Sequence, residues 1–341
     1  MFFIKIDSVL IVYHNHTKSK SITMTPESHV LLDWIDIKKF KLSHFNSNKN
    51  AIDLLEKYPD DINWEYLSMN PNAMHIIEKN AEKIDWSCVS MNPSAIHLLK
   101  KNPIKIDWSE LSVNLNAIYL LETNPEKINW SLLSSNRNVI HLLEKNPEKI
   151  NWVALSSNPN AVHLLEGNRD KICWYELSQN PSAVHILEKN PLKIDWNCLC
   201  LNPSPKAIEL LEKNPEKISW CRLSQNRCPN AIQLLEKYID KIDWNILCFN
   251  PNAIQLLEKN QEKINWNWLS QNPSAIHLLQ RNPIKINYTR FSANPSIFKK
   301  VVNYEFLKER MDIIREELIM KCMHPKRLEM WIDMGGDIDD F

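Results

Sequence analysis

The stretch INWSLLSSNRNVIHLLEKNPEKINW, residues 128–152, begins and ends on the same three letters, with Trp130 and Trp152 22 residues apart. The same spacing links every Trp of this series from position 64 to position 196. Two steps of 24 and one of 22 follow, and Tyr288 then replaces Trp one 22-residue step later. Counting back from Trp64 places one more unit on Leu42. The chain therefore repeats one sequence motif twelve times, with the last copy incomplete.

We number these copies units 1 to 12. They begin at Leu42, Trp64, Trp86, Trp108, Trp130, Trp152, Trp174, Trp196, Trp220, Trp244, Trp266 and Tyr288. Their consensus is W-x-x-L-S-x-N-P-x-A-I-H-L-L-E-K-N-P-E-K-I-[DN].

Capping chemistry predicts two short helices in each unit. The residue before the aromatic position is Asn, Asp or Ser in ten of eleven units, and these residues accept hydrogen bonds from the free amides of a helix start. Trp and the Leu three positions later share one face of this first helix. An Asn is present in every unit at the sixth position after the aromatic. It either closes the first helix in a left-handed conformation or caps the second, for which the following Pro suits the first turn.

The second helix carries Ala, Ile and two Leu on one apolar arc, with His on the other side. Helices of roughly 6–10 residues are marginal alone, so the hairpins must stack to bury a common core. The sequence thus predicts an all-α fold, an α-solenoid of about twelve stacked two-helix hairpins with helical end caps. At about 8–10 Å per packed helix it would form a rod or arc of roughly 100–120 Å. A β-solenoid with an Asn ladder is the rival, but abundant Pro, scarce Gly and no period-two alternation argue against it.

The ends predict three further segments. Residues 1–24 fit the repeat poorly and are expected to be an N-terminal extension, either disordered or untranslated if Met24 is the true start instead of Met1. Residues 25–41 are predicted to be a helical N-terminal cap, residues 42–300 the repeats, and residues 301–341 a helical C-terminal cap. Units 8 and 9 each gain two residues near Pro205 and Cys228. These insertions are either tolerated loop growth or a docking feature.

Composition narrows the function classes. The 41 basic residues balance the 41 acidic ones, which argues against a nucleic-acid or anionic-membrane partner. The chain has only three Gly and no phosphate-binding loop, and no run of 18 apolar residues. Its eight Cys include no C-x-x-C pair, as is typical of reduced thiols in a cytosol.

The repeated motif and the closing segment HPKRLEMWIDMGGDID, residues 324–339, resemble tandem short-repeat proteins encoded by large DNA viruses of amoebae and algae. The resemblance covers residues 25–341. It implies a viral protein located in the host cytoplasm, with the virion as the alternative, and it implies no activity and no functional residues.

Two sets of residues invite a metal or catalytic interpretation. The second helices carry a His column, whose members should lie about 9–10 Å apart, too far to share one zinc ion, and Glu and Gln replace His in some units. Four Cys fall within 31 residues, at spacings that match no standard zinc knuckle. These four are Cys198, Cys200, Cys221 and Cys228. Cys200 and Cys248 occupy the consensus Ser position and are expected to be small buried thiols. We therefore predict no enzyme activity, no cofactor, no metal site and no small-molecule substrate.

A stripe of variable residues is the best candidate site. Positions one, two and five after the aromatic lie on the first-helix face that points away from the Trp/Leu face, and they vary among aromatic, Met and charged residues that are enriched at interfaces. The candidate partner-binding residues are Tyr66, Met69, Met91, Tyr175, Arg222, Ile246, Phe249, Trp268 and Arg290. The sequence thus predicts a protein-interaction scaffold for a host or viral protein, with a structural or virion-associated spacer as the alternative. Neutral drift of an exposed face would also produce a variable stripe.

Overall fold

The structure, a computed structural model, describes residues 2–6, 9–13, 27–302, 304–322 and 324–334. The chain divides into two compact parts. One part is residues 29–299, which contain all the repeats, and the other is residues 1–28 together with residues 300–341. Within these described residues, four strands form two two-stranded sheets, β1–β2 and β3–β4. Their bounds are Phe2–Ile6 (β1), Val9–Tyr13 (β2), Glu27–Leu31 (β3) and Phe298–Val302 (β4). None of the helices in the described part of the chain is both long and apolar enough to pass through a bilayer.

The repeats form the predicted α-solenoid of two-helix hairpins, although the α-helices are only four to nine residues long. The first helices are 3-10 helix Leu42–Ser47 and α-helices Trp64–Met69, Trp86–Met91, Trp108–Val113, Trp130–Leu133, Trp152–Ser156, Trp174–Gln179, Trp196–Leu199, Trp220–Gln225, Trp244–Leu247, Trp266–Leu269 and Tyr288–Phe291. The second helices are Ile52–Leu55, Met74–Lys79, Ile96–Lys101, Ile118–Glu122, Ile140–Lys145, Val162–Gly167, Val184–Glu188, Pro205–Glu212, Pro229–Lys237, Ile254–Lys259 and Ile276–Arg281. Unit 12 has the 3-10 turn Pro295–Ile297 in this place.

The consensus Ser and Trp join each unit to the next. Ser134 Oγ donates to Trp130 O at 2.8 Å and accepts from the amide of Asn151, the N-cap of the following unit, at 3.0 Å. Asn151 in turn accepts from the amides of Val153 and Ala154. The Lys149 ammonium lies 4.5 Å from the centre of the Trp130 ring, a cation–π contact that recurs in several units. The consensus Ser, Trp and N-cap residues therefore hold neighbouring units together.

The invariant Asn of each unit forms a buried ladder through the stack. Asn180 is fully buried, and its Nδ2 donates to Ser156 O and Asn158 O of the preceding unit, both at 3.0 Å. Its Oδ1 accepts from the amide of Ser182 at 3.0 Å, in the turn between the two helices. The backbone at Asn180 is extended, with φ −73° and ψ 113°, so Asn180 closes the first helix without the expected left-handed conformation. In units 2, 10 and 11 the equivalent Asn is the N-cap of the 3-10 turn that leads into the second helix.

The solenoid closes on itself. Asn48 of unit 1 donates to Ser292 O at 2.7 Å and to Asn294 O at 2.9 Å, which are the bonds that a ladder Asn makes to the unit before it. Asn50 donates to Pro295 O at 3.0 Å, as the equivalent Asn138 does to Leu115 O within the stack. Unit 12 is therefore followed in space by unit 1. Residues 29–299 form a ring, and the open rod or arc of roughly 100–120 Å expected from the sequence is wrong.

Wedge-shaped units explain the curvature. The ladder holds the turns between first and second helices at hydrogen-bond distance, while second helices need about 8–10 Å to pack. Successive first helices approach one another more closely over much of the stack than second helices do. The first helices therefore form the concave wall of the ring. Twelve such units complete 360°, which requires about 30° of rotation per unit.

Aromatic residues fill the seam between units 12 and 1. Phe45 and Phe291, both fully buried, occupy the consensus Leu position in these two units. Phe40 packs between them, with ring centroids 4.9 Å from Phe45 and 6.0 Å from Phe291, and Trp34 lies 5.9 Å from Phe291. The segment expected to cover the free face of unit 1 thus packs against the last repeat as well.

This N-terminal segment differs from the helix predicted over residues 25–41. Glu27–Leu31 form strand β3, which pairs with β4, and only Ile37–Lys39 form a 3-10 turn. The amide of Leu32 also donates to Ile297 O at 2.9 Å. Pairing with a strand distant in sequence overrides the local helical preference, as tertiary contacts often do.

Residues 1–28 and 300–341 make up the other part of the chain. Strands β1 and β2, which lie in the expected N-terminal extension, pair antiparallel with Phe2 opposite Tyr13. The C-terminal segment forms the helices Tyr304–Cys322 and Pro325–Asp333, as its helical spacing predicts. Apolar side chains of the longer helix, including Met311, Ile314 and Leu318, are exposed. The capping role of residues 301–341 and the choice between Met1 and Met24 stay predictions.

Candidate interaction surface

The variable stripe lies on the concave wall of the ring. Trp, Leu and Ser of each first helix face the core, so the first, second and fifth positions after Trp point to the other side. Tyr66 and Tyr175 are 49% and 50% exposed, which shows that solvent reaches this wall. Met69 and Met91 are also exposed. The other five candidate residues are half-buried, and Trp268 packs against the hydrophobic core.

Ring closure brings together candidate residues from the two ends of the sequence. Units 10, 11 and 12 are followed directly by units 1, 2 and 3, so their stripe positions form one continuous arc. We call this the seam arc, and define it as Ile246, Phe249, Trp268, Arg290, Tyr66, Met69 and Met91. Tyr175 of unit 7 and Arg222 of unit 9 lie outside it. The opposite part of the wall, in units 4 to 6, carries mostly small residues such as Ser131, Ser135 and Ala154.

Three seam-arc residues stack across neighbouring units. The rings of Phe249 and Trp268 have centroids 4.5 Å apart, and the Arg290 guanidinium lies 3.6 Å from the centre of the Trp268 ring. Stacking on an aromatic face leaves the edge of a guanidinium free to donate hydrogen bonds to a carboxylate or carbonyl group. This cluster is a preorganised apolar surface with one positive charge on it.

Outside the seam arc, Tyr175 interacts with the next unit. A hydrogen bond with the Cys198 thiol raises the pKa of Tyr175. Gln179 Nε2 also lies 3.5 Å from the Cys198 sulfur. These contacts connect side chains of neighbouring units and leave Tyr175 half exposed.

The His column pairs with Glu of the preceding unit. Nε2 of His141 and His163 lies 2.8 Å from Oε1 of Glu122 and Glu144, respectively, and most of these pairs are exposed. The same contact recurs at His75, His97, His185 and His277. Its partner His185 lowers the pKa of Glu166 through a hydrogen bond. Exposed pairs of this kind contribute little to stability because solvent screens them, so the column is a weak inter-unit contact.

The cysteines separate into buried and accessible thiols. Cys198, Cys200, Cys228 and Cys248 are buried, whereas Cys221 is exposed. Cys200 and Cys248 take the place of the consensus Ser, as expected, and their sulfurs accept from the amides of Ser219 and Asn265, both at 3.4 Å. Within the described residues, no three His, Cys, Asp or Glu side chains are grouped so that they could hold a metal ion.

Burial predicts very unequal thiol reactivity. Burial raises the pKa of Cys248 to about 11, and burial together with Asp85 raises that of Cys88 to about 11. The thiolate is the reactive form, so Cys88 and Cys248 should react more slowly than a thiol of ordinary pKa. In a time course with a thiol-specific disulfide reagent, followed by mass spectrometry of each Cys-containing peptide, we expect Cys221 to react first among the seven cysteines whose burial the structure describes. Cys248 should react only on unfolding, and fast labelling of Cys248 in the folded protein would contradict its burial.

Sequence reasoning identified the stripe but missed its continuity across the seam. A signal for closure was present, since Phe replaces the consensus Leu only in units 1 and 12. Two larger side chains at the two ends of an array are the residues that a shared junction would need. The chain is similar to no family model, no curated protein and no solved structure in the comparisons made.

Proposed function

We propose that this protein is a non-enzymatic interaction ring that binds a segment of a partner protein on its concave wall, through the seam arc. The observation that carries the proposal is the gathering of aromatic, Met and Arg side chains from distant units along one arc. Tyr66, Met69 and Met91 of this arc are exposed, and Phe249, Trp268 and Arg290 are half-buried. Residues of these types dominate the binding energy of protein interfaces. The opposite, Ser-rich part of the wall makes the surface one-sided, which favours a specific partner orientation.

Rigidity supports the same function. The seam arc stands on first helices that are fixed by buried Ser and Asn hydrogen bonds, and in the described part of the chain every buried side-chain nitrogen or oxygen has a partner. A surface fixed in advance loses little conformational entropy on binding. A spacer role is less well supported, because an open array would extend through free repeat faces, and here units 12 and 1 cover each other.

The proposal predicts loss of a specific partner from a seam-arc variant. We expect Tyr66→Ala, Phe249→Ala and Trp268→Ala together to weaken partner binding by at least 100-fold, because each removed aromatic residue is worth about 1–3 kcal/mol at an interface. The measurement is quantitative mass spectrometry of proteins that co-purify with each tagged variant, followed by titration of the partner found with the parent protein.

The matched control removes a similar apolar area elsewhere on the ring. Tyr119→Ala, Leu132→Ala and Val153→Ala change one exposed second-helix residue and two residues of the opposite wall. This control should keep the partner, and both triple variants must first show a single cooperative urea transition from a folded state. An unchanged partner list for the seam-arc variant would overturn the proposal.

A further inference from the structure

In three of the four possible sets, units that lie four apart in the ring share a sequence marker. Units 3, 7 and 11 have Asn-Pro-Ser-Ala after the first helix, a sequence that no other unit has. Units 2, 6 and 10 have Asn-Pro-Asn-Ala and replace the second Pro by Ala81, Arg169 and Gln261. Units 1, 5 and 9 place a basic residue after the ladder Asn, namely Lys49, Arg137 and Arg227. The 22-residue unit is therefore nested in a block of four units, present three times.

In a closed ring this block becomes a rotational symmetry. Twelve units complete the circle, so four units correspond to about 120°. Unit 11 is followed by units 12, 1, 2 and 3, which makes the third interval equal to the other two. The blocks thus give the ring a pseudo-threefold axis, which an open solenoid with the same sequence would not have.

One surface feature follows this threefold spacing. The short turn after each second helix exposes its middle residue, which is acidic in eight units. These eight are Asp60, Glu82, Glu126, Glu148, Asp170, Glu216, Asp240 and Glu262. In units 3, 7 and 11 the same position holds Ile104, Leu192 and Ile284, which are 96%, 98% and 98% exposed. We call these three side chains the teeth.

Each tooth also carries positive charge. In seven of the eight acidic turns the acidic residue is followed directly by Lys, whereas in the teeth an aliphatic residue precedes that Lys. Exposed basic residues flank each tooth on both sides, as Lys101 and Lys105, Lys189 and Lys193, and Arg281 and Lys285. Each tooth is therefore an aliphatic tip between two cations, on an edge where the remaining turns carry carboxylates.

We propose that the three teeth dock a homotrimeric protein coaxially with the ring. Each subunit of that trimer would offer an apolar socket rimmed by carboxylate groups, complementary to an aliphatic tip between two cations. Three equal sockets at 120° require the spacing that the teeth have. This surface is separate from the seam arc, so the inference does not rest on the proposed function.

Two other occupants fit the observations less well. A bilayer would take aliphatic tips at any spacing, and the eight carboxylates of the same edge would oppose an anionic membrane. A second copy of the chain would present its own protruding teeth instead of sockets. Repetition of the four-unit block places the teeth 120° apart, and a trimeric partner is the occupant whose own symmetry matches that spacing.

The partner is identified with a photocrosslinking probe. Benzoylphenylalanine placed singly at positions 104, 192 and 284, in the cells that naturally produce the protein, should capture one and the same protein from all three positions. Position 148, on the same edge, should capture it at least tenfold less. Native mass spectrometry should then give three partner chains per ring. Different proteins at the three positions, or one partner chain per ring, would overturn the proposal.

Relocating the teeth tests the symmetry itself. Ile104→Glu, Leu192→Glu and Ile284→Glu restore the consensus letter on an exposed turn, so the fold should be unaffected, and each lost tooth should weaken binding about tenfold to 100-fold. We call this triple Glu variant the toothless variant. Adding Glu82→Ile, Asp170→Ile and Glu262→Ile to it gives the rotated set, in which three new teeth lie in units 2, 6 and 10, again four units apart. A clustered set instead adds Ile at Glu126, Glu148 and Asp170 in units 4, 5 and 6. Both sets replace three acidic residues by Ile.

Compared with the toothless variant, the rotated set should bind a trimeric partner at least tenfold more tightly. The clustered set should bind it no more tightly than the toothless variant does. Equal recovery with both sets, or with neither, would overturn the proposal. Vesicles of phosphatidylserine and phosphatidylcholine test whether the teeth bind a membrane instead. Binding of the parent protein to these vesicles that is lost in the toothless variant would assign the teeth to a membrane and overturn the trimer.

Discussion

Replacing Phe291 with alanine is expected to open the ring and to lower the free energy of unfolding by about 3–5 kcal/mol, the usual cost of truncating a buried Phe. Phe291 is fully buried and packs against Trp34, Phe40 and Tyr288. No other junction of the ring contains this aromatic cluster, so the cavity weakens the contact between units 12 and 1 in particular. Urea unfolding measures the first effect.

A native ion pair reports closure directly. Lys299 Nζ lies 2.7 Å from both carboxylate oxygens of Asp33, so a carbodiimide should link them in the closed ring. The Lys237–Glu212 pair joins two second helices far from the seam and serves as the internal reference. The yield of the first link relative to the second should fall several-fold in Phe291→Ala.

Leu177→Ala is the matched control for this experiment. Leu177 is equally buried and holds the same position in unit 7, so its loss should cost about 2–5 kcal/mol without changing the relative yield of the seam link. If both variants lowered that yield equally, the aromatic seam would not be the determinant of closure.

The second large effect is expected at the Asn ladder. Asn180→Ala removes two hydrogen bonds to buried carbonyl groups and one from a backbone amide. Leaving such groups unpaired in the core costs about 1–3 kcal/mol each, and we expect a total loss of about 3–5 kcal/mol in the free energy of unfolding. Asn160→Ala is the control, because Asn160 makes one exposed side-chain bond to Arg137 O and should cost less than about 1 kcal/mol. Similar unfolding midpoints for the two variants would show that burial of the ladder does not matter.

The hairpin unit was predictable because its determinants are local. Asn151 before Trp152 specifies a helix start, and the apolar arc of Ile140, Leu142 and Leu143 specifies what the second helix buries. These requirements lie within a few residues of one another. Twelve copies of the same pattern also reinforce one another, so the α-solenoid class followed directly.

Closure was not predictable in the same way, because it depends on a small rotation summed over all units. Nothing within one copy distinguishes about 30° per unit from a smaller angle that gives an open arc. The seam arc depends on closure, so its residues were identified while their proximity was missed. Strand β3 shows the same limit, since the residues it pairs with in β4 lie more than 260 positions away in sequence.

The contact between Asn48 and Asn294 also restricts how such a gene can change in length. An open array can lose or gain a hairpin by unequal recombination and keep every remaining junction unchanged. In a closed ring, eleven or thirteen units would demand about 33° or about 28° at every junction instead of about 30°. Copy number is therefore part of the specification of this fold, and a single-hairpin insertion should be selected against as strongly as a defect in the core.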